Sequence, residues 1–171
     1  MDPNVPQHAL PQALIDAMRY PARQDRTVAV DGSGYRLQFD PEPGVDMRVE
    51  AVEAPDETRN TTYHAVDERP ASYPPGIPFL PGVAASVIVS PHGAEAGFGA
   101  SWWNVPDVEG ALAGLRAQNA ADGWMEGTES GYDFLPGFRT LNFDRVDGRQ
   151  RVINVVSTGS GTMIQLLQGR D

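Results

Sequence analysis

The chain has 171 residues, 40% hydrophobic and 21% charged, a composition that supports a buried core and lies far from that of disordered chains. Its formal net charge of −10 disfavours nucleic acid and anionic membranes as partners, because both select basic patches. Cysteine is absent and all 13 basic residues are arginine, which excludes disulfides, thiolate ligands, a lysine Schiff base and a P-loop lysine.

The N-terminal stretch MDPNVPQHALPQ has neither a basic n-region nor an apolar h-region, so it does not read as a signal peptide. A signal removed ahead of Asp2 would make the protein periplasmic or secreted; without one it would be cytoplasmic. No apolar run approaches the ~20 residues that span a bilayer. Pro11 to Arg19 places Leu14, Ile15 and Met18 at helical spacing, with Pro21 to close the helix. Thr27–Val30 and Tyr35–Phe39 flank Asp31-Gly32-Ser33-Gly34 and predict a hairpin. Val45–Ala54 predicts a half-buried strand with Val45, Met47 and Val49 on one side, and Thr61–Val66 a further edge strand. Tyr73–Gly82 holds four prolines in ten residues, which forbids helix and ladder alike. It predicts a stiff connector whose Ile77, Phe79 and Leu80 pack down on the core.

Stronger patterns follow. Val83–Ser90 and Glu95–Trp103 read as strands around the turn Pro91-His92-Gly93. Asn104-Val105-Pro106-Asp107 supplies helix-start residues, Val108–Ala121 the helix, and Gly123 a left-handed stop. Phe138–Asp144, Arg151–Val156 and Thr162–Leu167 are three more strands, with Asp147-Gly148 and Thr158-Gly159-Ser160-Gly161 as turns. Along the helix, Val108, Ala111, Leu112 and Leu115 form the stripe for the sheet. Gly110, Gly114, Ala117 and Ala121 leave an opposite strip of small residues that another element could approach closely.

No catalytic constellation is legible. His8, His64 and His92 lie in separate segments without metal-site spacing, and Gly159-Ser160-Gly161 reads as a turn rather than a nucleophile. The most informative candidates are surfaces. On a regular strand, Gly97, Gly99, Ser101 and Trp103 share one face, a tryptophan beside nearly bare backbone, which is a platform for a ligand or a protein segment. The candidate binding residues are therefore Trp103, Gly97, Gly99 and His92, with Gly110 and Gly114 on the helix; no metal and no cofactor is expected.

The order Pro81-Gly82, strand hairpin, helix ending in Gly123-Trp124, then alternating strands resembles small domains of bacterial lipoproteins and other envelope proteins. The resemblance covers about 90 residues from Leu80 onward; where those domains carry an aromatic pair on the helix, this chain has Ala113-Gly114. It implies a non-catalytic envelope module and transfers no catalytic residue.

Together these readings predict an α+β fold: an antiparallel, hairpin-rich sheet packed against one main helix, with an N-terminal helix-plus-hairpin region. The expected division is residues 1–70, a connector at 71–82 and a sheet-and-helix unit at 83–171, which could also form one continuous domain. The expected function is a non-catalytic binding or assembly module of a bacterial envelope or secreted system, with a protein as partner. The alternatives are a small hydrolase or isomerase using His92 or His64 with a carboxylate, and a secreted effector or its neutralising partner.

Overall fold

Runs rich in valine, isoleucine, threonine and aromatic residues favour extended backbone, and most of this chain uses them so. The computed structural model describes residues 25–30, 33–39, 42–51, 59–131 and 137–169; the helix expected over 11–19 and His8 lie outside them. The strands are β1 (Arg26–Val30), β2 (Ser33–Phe39), β3 (Val45–Ala51), β4 (Arg59–Tyr63), β5 (Ala85–Val89) and β6 (Phe98–Trp102). The helix α1 (Val108–Ala121) comes next. Then follow β7 (Met125–Glu126), β8 (Ser130–Gly131), β9 (Phe138–Asp144), β10 (Gln150–Thr158) and β11 (Gly161–Gly169). All join one antiparallel sheet of eleven strands in the order β1-β2-β3-β4-β5-β6-β11-β10-β9-β7, with β8 also on β9.

The expected balance of sheet and helix is overturned. Among the described residues one 14-residue helix stands against eleven strands, a predominantly antiparallel β fold rather than α+β. The reason is non-local pairing. The hairpin of β1 and β2, assigned to a separate N-terminal region, continues through β3 and β4 into the edge of β5. The strand expected as an edge at Thr61–Val66 is β4, and it runs between β3 and β5.

Register decides what each face carries. On the face beneath α1, Tyr63, Ala85, Trp102, Ile164 and Val155 pair in one row, and Thr61, Val87, Ala100, Leu166, Ile153 and Leu141 in the next. All are buried, and all but Thr61 belong to the main core with Leu112 and Leu115 of the helix. At β3 the pattern turns over. Val45 pairs with Tyr63 but Met47 pairs with Thr62, so Asp46 is the extra residue of a bulge. Beyond it, Met47, Val49 and Leu37 are buried on the opposite side of the sheet, outside the main core. Arg48, Glu50 and Arg36 occupy the helix side there. The three apolar residues of β3 therefore do not share one face.

The helix begins where Asp107 accepts the Gly110 N–H at 2.9 Å. It ends in a pair of closing bonds, Gly123 N–H to Ala120 O at 3.1 Å and Trp124 N–H to Asn119 O at 2.9 Å, with Gly123 at φ +80°. The proline-rich strap lies on this helix. Its missing ladder is replaced by Gln118, whose amide accepts from the Phe79 N–H and donates to the Phe79 carbonyl, both at 2.9 Å. Ile77, Phe79 and Leu80 are buried, and the Tyr73 hydroxyl donates to Pro78 O at 2.7 Å.

Candidate functional site

On the face opposite α1 the sheet sets out three rows. The middle one is Thr62, Ser86, Ser101, Gln165, Asn154 and Thr140, one uncharged polar side chain from each of six adjacent strands. Beside it run Asn60, Ile88, Gly99, Leu167, Val152 and Asn142. The third row holds Met163, Val156 and Phe138. Trp103 joins it: its N–H bonds to Ala84 O at 3.3 Å, which extends the ladder one residue past β6. Trp103 and Leu167 are each 40% exposed, so this face is open at both flanks of the polar row. None of these residues is charged, in a chain whose net charge is −10. Within and beside the row Ser86 donates to Asn60 Oδ1 of the next row at 2.8 Å and Thr140 to Asn154 Oδ1 at 3.1 Å. The side chains of Ser101 and Gln165 at its centre, and of Thr62 at its β4 end, have no hydrogen-bond partner among the described residues.

The residues read from the sequence are distributed differently than expected. Trp103 is exposed on this face and Gly99 belongs to it. The patch is not bare, because Leu167 crosses over: a Cβ at Gly99 would stand 3.3 Å from its Cδ2. Gly97 precedes β6 in a run of turns, and a Cβ there would stand 3.2 Å from Gln168 O. Gly110 serves the helix start, since a Cβ would fall 2.3 Å from Asp107 Oδ2. Gly114 faces the strap, with Leu80 Cδ2 4.0 Å from a would-be Cβ. His92 is elsewhere, at the mouth of an open cleft of about 460 Å³ lined also by Glu95, Ala96, Asp147 and Arg149. Gln165, Asn154 and Leu167 are the contributors that sequence reasoning missed; Ser101 it placed on this face beside Trp103. Only strand order brings β6, β10 and β11 side by side.

The cleft is charged but internally spoken for. Arg149 donates to Asp147 Oδ2 through Nη2 at 2.6 Å and Nε at 2.9 Å, and its Nη1 contacts Glu95 Oε2. Arg149 holds the Asp147 carboxyl down at about 2. His92 uses its backbone N–H on Ser90 Oγ at 3.3 Å, and among the described residues its ring pairs with neither carboxylate. His64 Nε2 lies 3.9 Å from Asp46 Oδ1 on the exposed side of the bulge. An acid–base pair ready for hydrolysis needs a histidine and a carboxylate in hydrogen-bond reach. Among the described residues the cleft around His92 supplies no such pair. No group of three His, Asp or Glu side chains is placed to hold a metal among the described residues.

A third cluster is buried. Arg151, 4% exposed, donates to Asn119 Oδ1 at 2.5 Å, Gln168 Oε1 at 2.8 Å and Gly76 O at 2.8 Å. Its guanidinium stands 4.1 Å from the Trp124 ring centroid. Burial pushes its pKa down to about 10. It ties helix end, strap and sheet together.

Comparison with protein-family models, curated proteins and solved structures gave no match to this chain. No helix long and apolar enough to cross a membrane occurs among the described residues.

Proposed function

We propose that this chain is a non-catalytic binding module of a bacterial envelope or secreted system, working through the face of its sheet opposite α1. One observation carries the reading: two neighbouring rows across six adjacent strands of a strongly acidic protein, and a third across four of them, hold no charged side chain, with Trp103 and Leu167 exposed at the flanks. A face meant only for solvent in an antiparallel sheet is normally polar and charged. An uncharged face that keeps hydroxyls and amides suits an uncharged partner and offers nothing to nucleic acid, which requires cations. The envelope or secreted placement rests on the likeness of Pro81-Gly82 and Gly123-Trp124 to envelope domains.

Amide chemical-shift mapping tests the reading. Titration with a panel of uncharged peptides and oligosaccharides should shift β5, β6, β10 and β11 and the Trp103 indole, and Leu167→Glu should abolish the shifts without altering the far-ultraviolet circular dichroism. Shifts confined to the cleft of His92, Glu95 and Arg149 would overturn it.

A further inference from the structure

We propose that the ligand of this face is a neutral oligosaccharide laid across the strands, with Trp103 stacking on a sugar ring and Ser101 and Gln165 bonding ring hydroxyls. The inference rests on the reading of this face as the working surface and names what it takes.

The polar row supplies one hydroxyl or amide per strand, at the ~4.8 Å spacing of neighbouring strands. That spacing is on the scale of one pyranose ring, so successive sugars would meet successive strands. Sugar hydroxyls both donate and accept. Serine hydroxyls and glutamine amides do the same, whereas arginine only donates and carboxylates only accept. Ser101 and Gln165, in the middle of the row, and Thr62 at its end are the groups not engaged by other described residues. The apolar face of a sugar needs a flat apolar surface, and an indole provides one with a polar edge. Of the three tryptophans, Trp102 and Trp124 are buried and Trp103 is exposed beside the row.

Size separates a sugar from a protein partner. Six strands at ~4.8 Å make a strip about 24 Å wide, and three rows of side chains are about 20 Å deep, so the uncharged area is on the order of 500 Å². A stable protein–protein interface needs about 800 Å² from each side, so the strip falls short of a second copy or a stable protein partner. It matches a short extended chain. Absence of charge fits a neutral ligand and gives an anionic one no counter-charge.

The test is titration of the full chain with cellohexaose, maltohexaose and chitohexaose, with hexagalacturonate as the anionic control, followed by tryptophan fluorescence and amide shifts. At least one neutral hexasaccharide should bind with Kd below about 1 mM. Raising salt from about 50 to about 500 mM should leave Kd unchanged, because no ions are displaced. Trp103→Ala should weaken binding about tenfold and Gln165→Ala several-fold, while Trp103→Phe keeps most of the affinity. Trp103 is exposed, so these variants should keep the wild-type melting temperature. Three results would overturn the inference: no neutral sugar binding up to about 10 mM, salt-dependent binding of hexagalacturonate alone, or sugar binding unaffected by Trp103→Ala. If uncharged peptides shift the same face while the sugars do not, the sugar assignment fails and the binding face stands. If no probe shifts it, both fail.

Discussion

Arg151 keeps a full charge in the core with neutral oxygens as its hydrogen-bond partners. Its neighbours explain why that is tolerable. Three fixed oxygens replace water, the Trp124 face lies against the guanidinium, and Asn119 places it near the negative end of α1. Arg151→Met would strand Asn119 Oδ1, Gln168 Oε1 and the Gly76 carbonyl, and should cost about 2–4 kcal/mol in denaturant unfolding. Arg151→Lys should recover less than half of that, because one ammonium cannot reproduce the planar fork. Tyr73 sets a different test. Burial raises its hydroxyl pKa above the ordinary value, with Arg69 opposing. The unfolded chain loses that proton near pH ~10 while the folded chain keeps it. The stability tied to the protonated hydroxyl is therefore complete below pH ~10 and is lost as pH rises toward the folded value. Arg151 works in the opposite sense, its depressed folded pKa letting stability rise above pH ~10. The comparison is thus between proteins. Relative to wild type, Tyr73→Phe should be about 1 kcal/mol less stable at neutral pH and lose that deficit as pH climbs past ~10, read by thermal melts across pH.

At the scale of elements, the two helix glycines part company. A methyl at Gly114 meets Leu80 Cδ2 at 4.0 Å, an ordinary contact, so Gly114→Ala should stabilise by about 0.5–1 kcal/mol through helix propensity. A methyl at Gly110 would displace the capping Asp107 carboxylate from 2.3 Å, so Gly110→Ala should lose about the 1 kcal/mol that capping contributes and show no net gain. Chemical denaturation of the pair measures the contrast; equal stabilisation by both would show that the cap is not limiting. Helix bounds and stop were legible beforehand because capping and left-handed glycine are local effects, settled within a few residues. The small-residue strip was legible as a pattern but not its occupant. The strap that covers Gly114 reaches it from 34 residues away, through Leu80 and the Phe79–Gln118 pair.

For the whole molecule the bulge at Asp46 is the pivot. It lets one continuous sheet bury Val45 on the helix side and Met47 and Val49 on the other. Deleting Asp46 would join Val45 directly to Met47, which plain alternation already sets on opposite faces against Tyr63 and Thr62, so the division should survive as a regular ladder. Inserting one residue after Met47 would instead turn over Val49 and everything beyond it. The insertion should lose several kcal/mol and raise aggregation while the deletion costs far less, measured by melting temperature and light scattering. Both changes should leave the local signals of α1 intact, because neither its cap nor its stop depends on β3.

Local chemistry was decisive wherever its range is short. Hairpin turns at Asp147-Gly148 and Thr158–Gly161, the helix from Val108 to Ala121, and the prolines that keep residues 73–82 out of any ladder were all readable, since each depends on backbone preferences of adjacent residues. Strand order, face and fold class were not. Alternation tells that a strand has two faces but not which neighbours it acquires, and the bulge at Asp46 leaves no mark in the pattern of Val45, Met47 and Val49. Trp103 could be picked out as an odd tryptophan beside glycine. The polar row of Ser101, Gln165 and Asn154 exists only once β6, β11 and β10 lie side by side, because its members are up to 64 residues apart and share a surface solely through pairing.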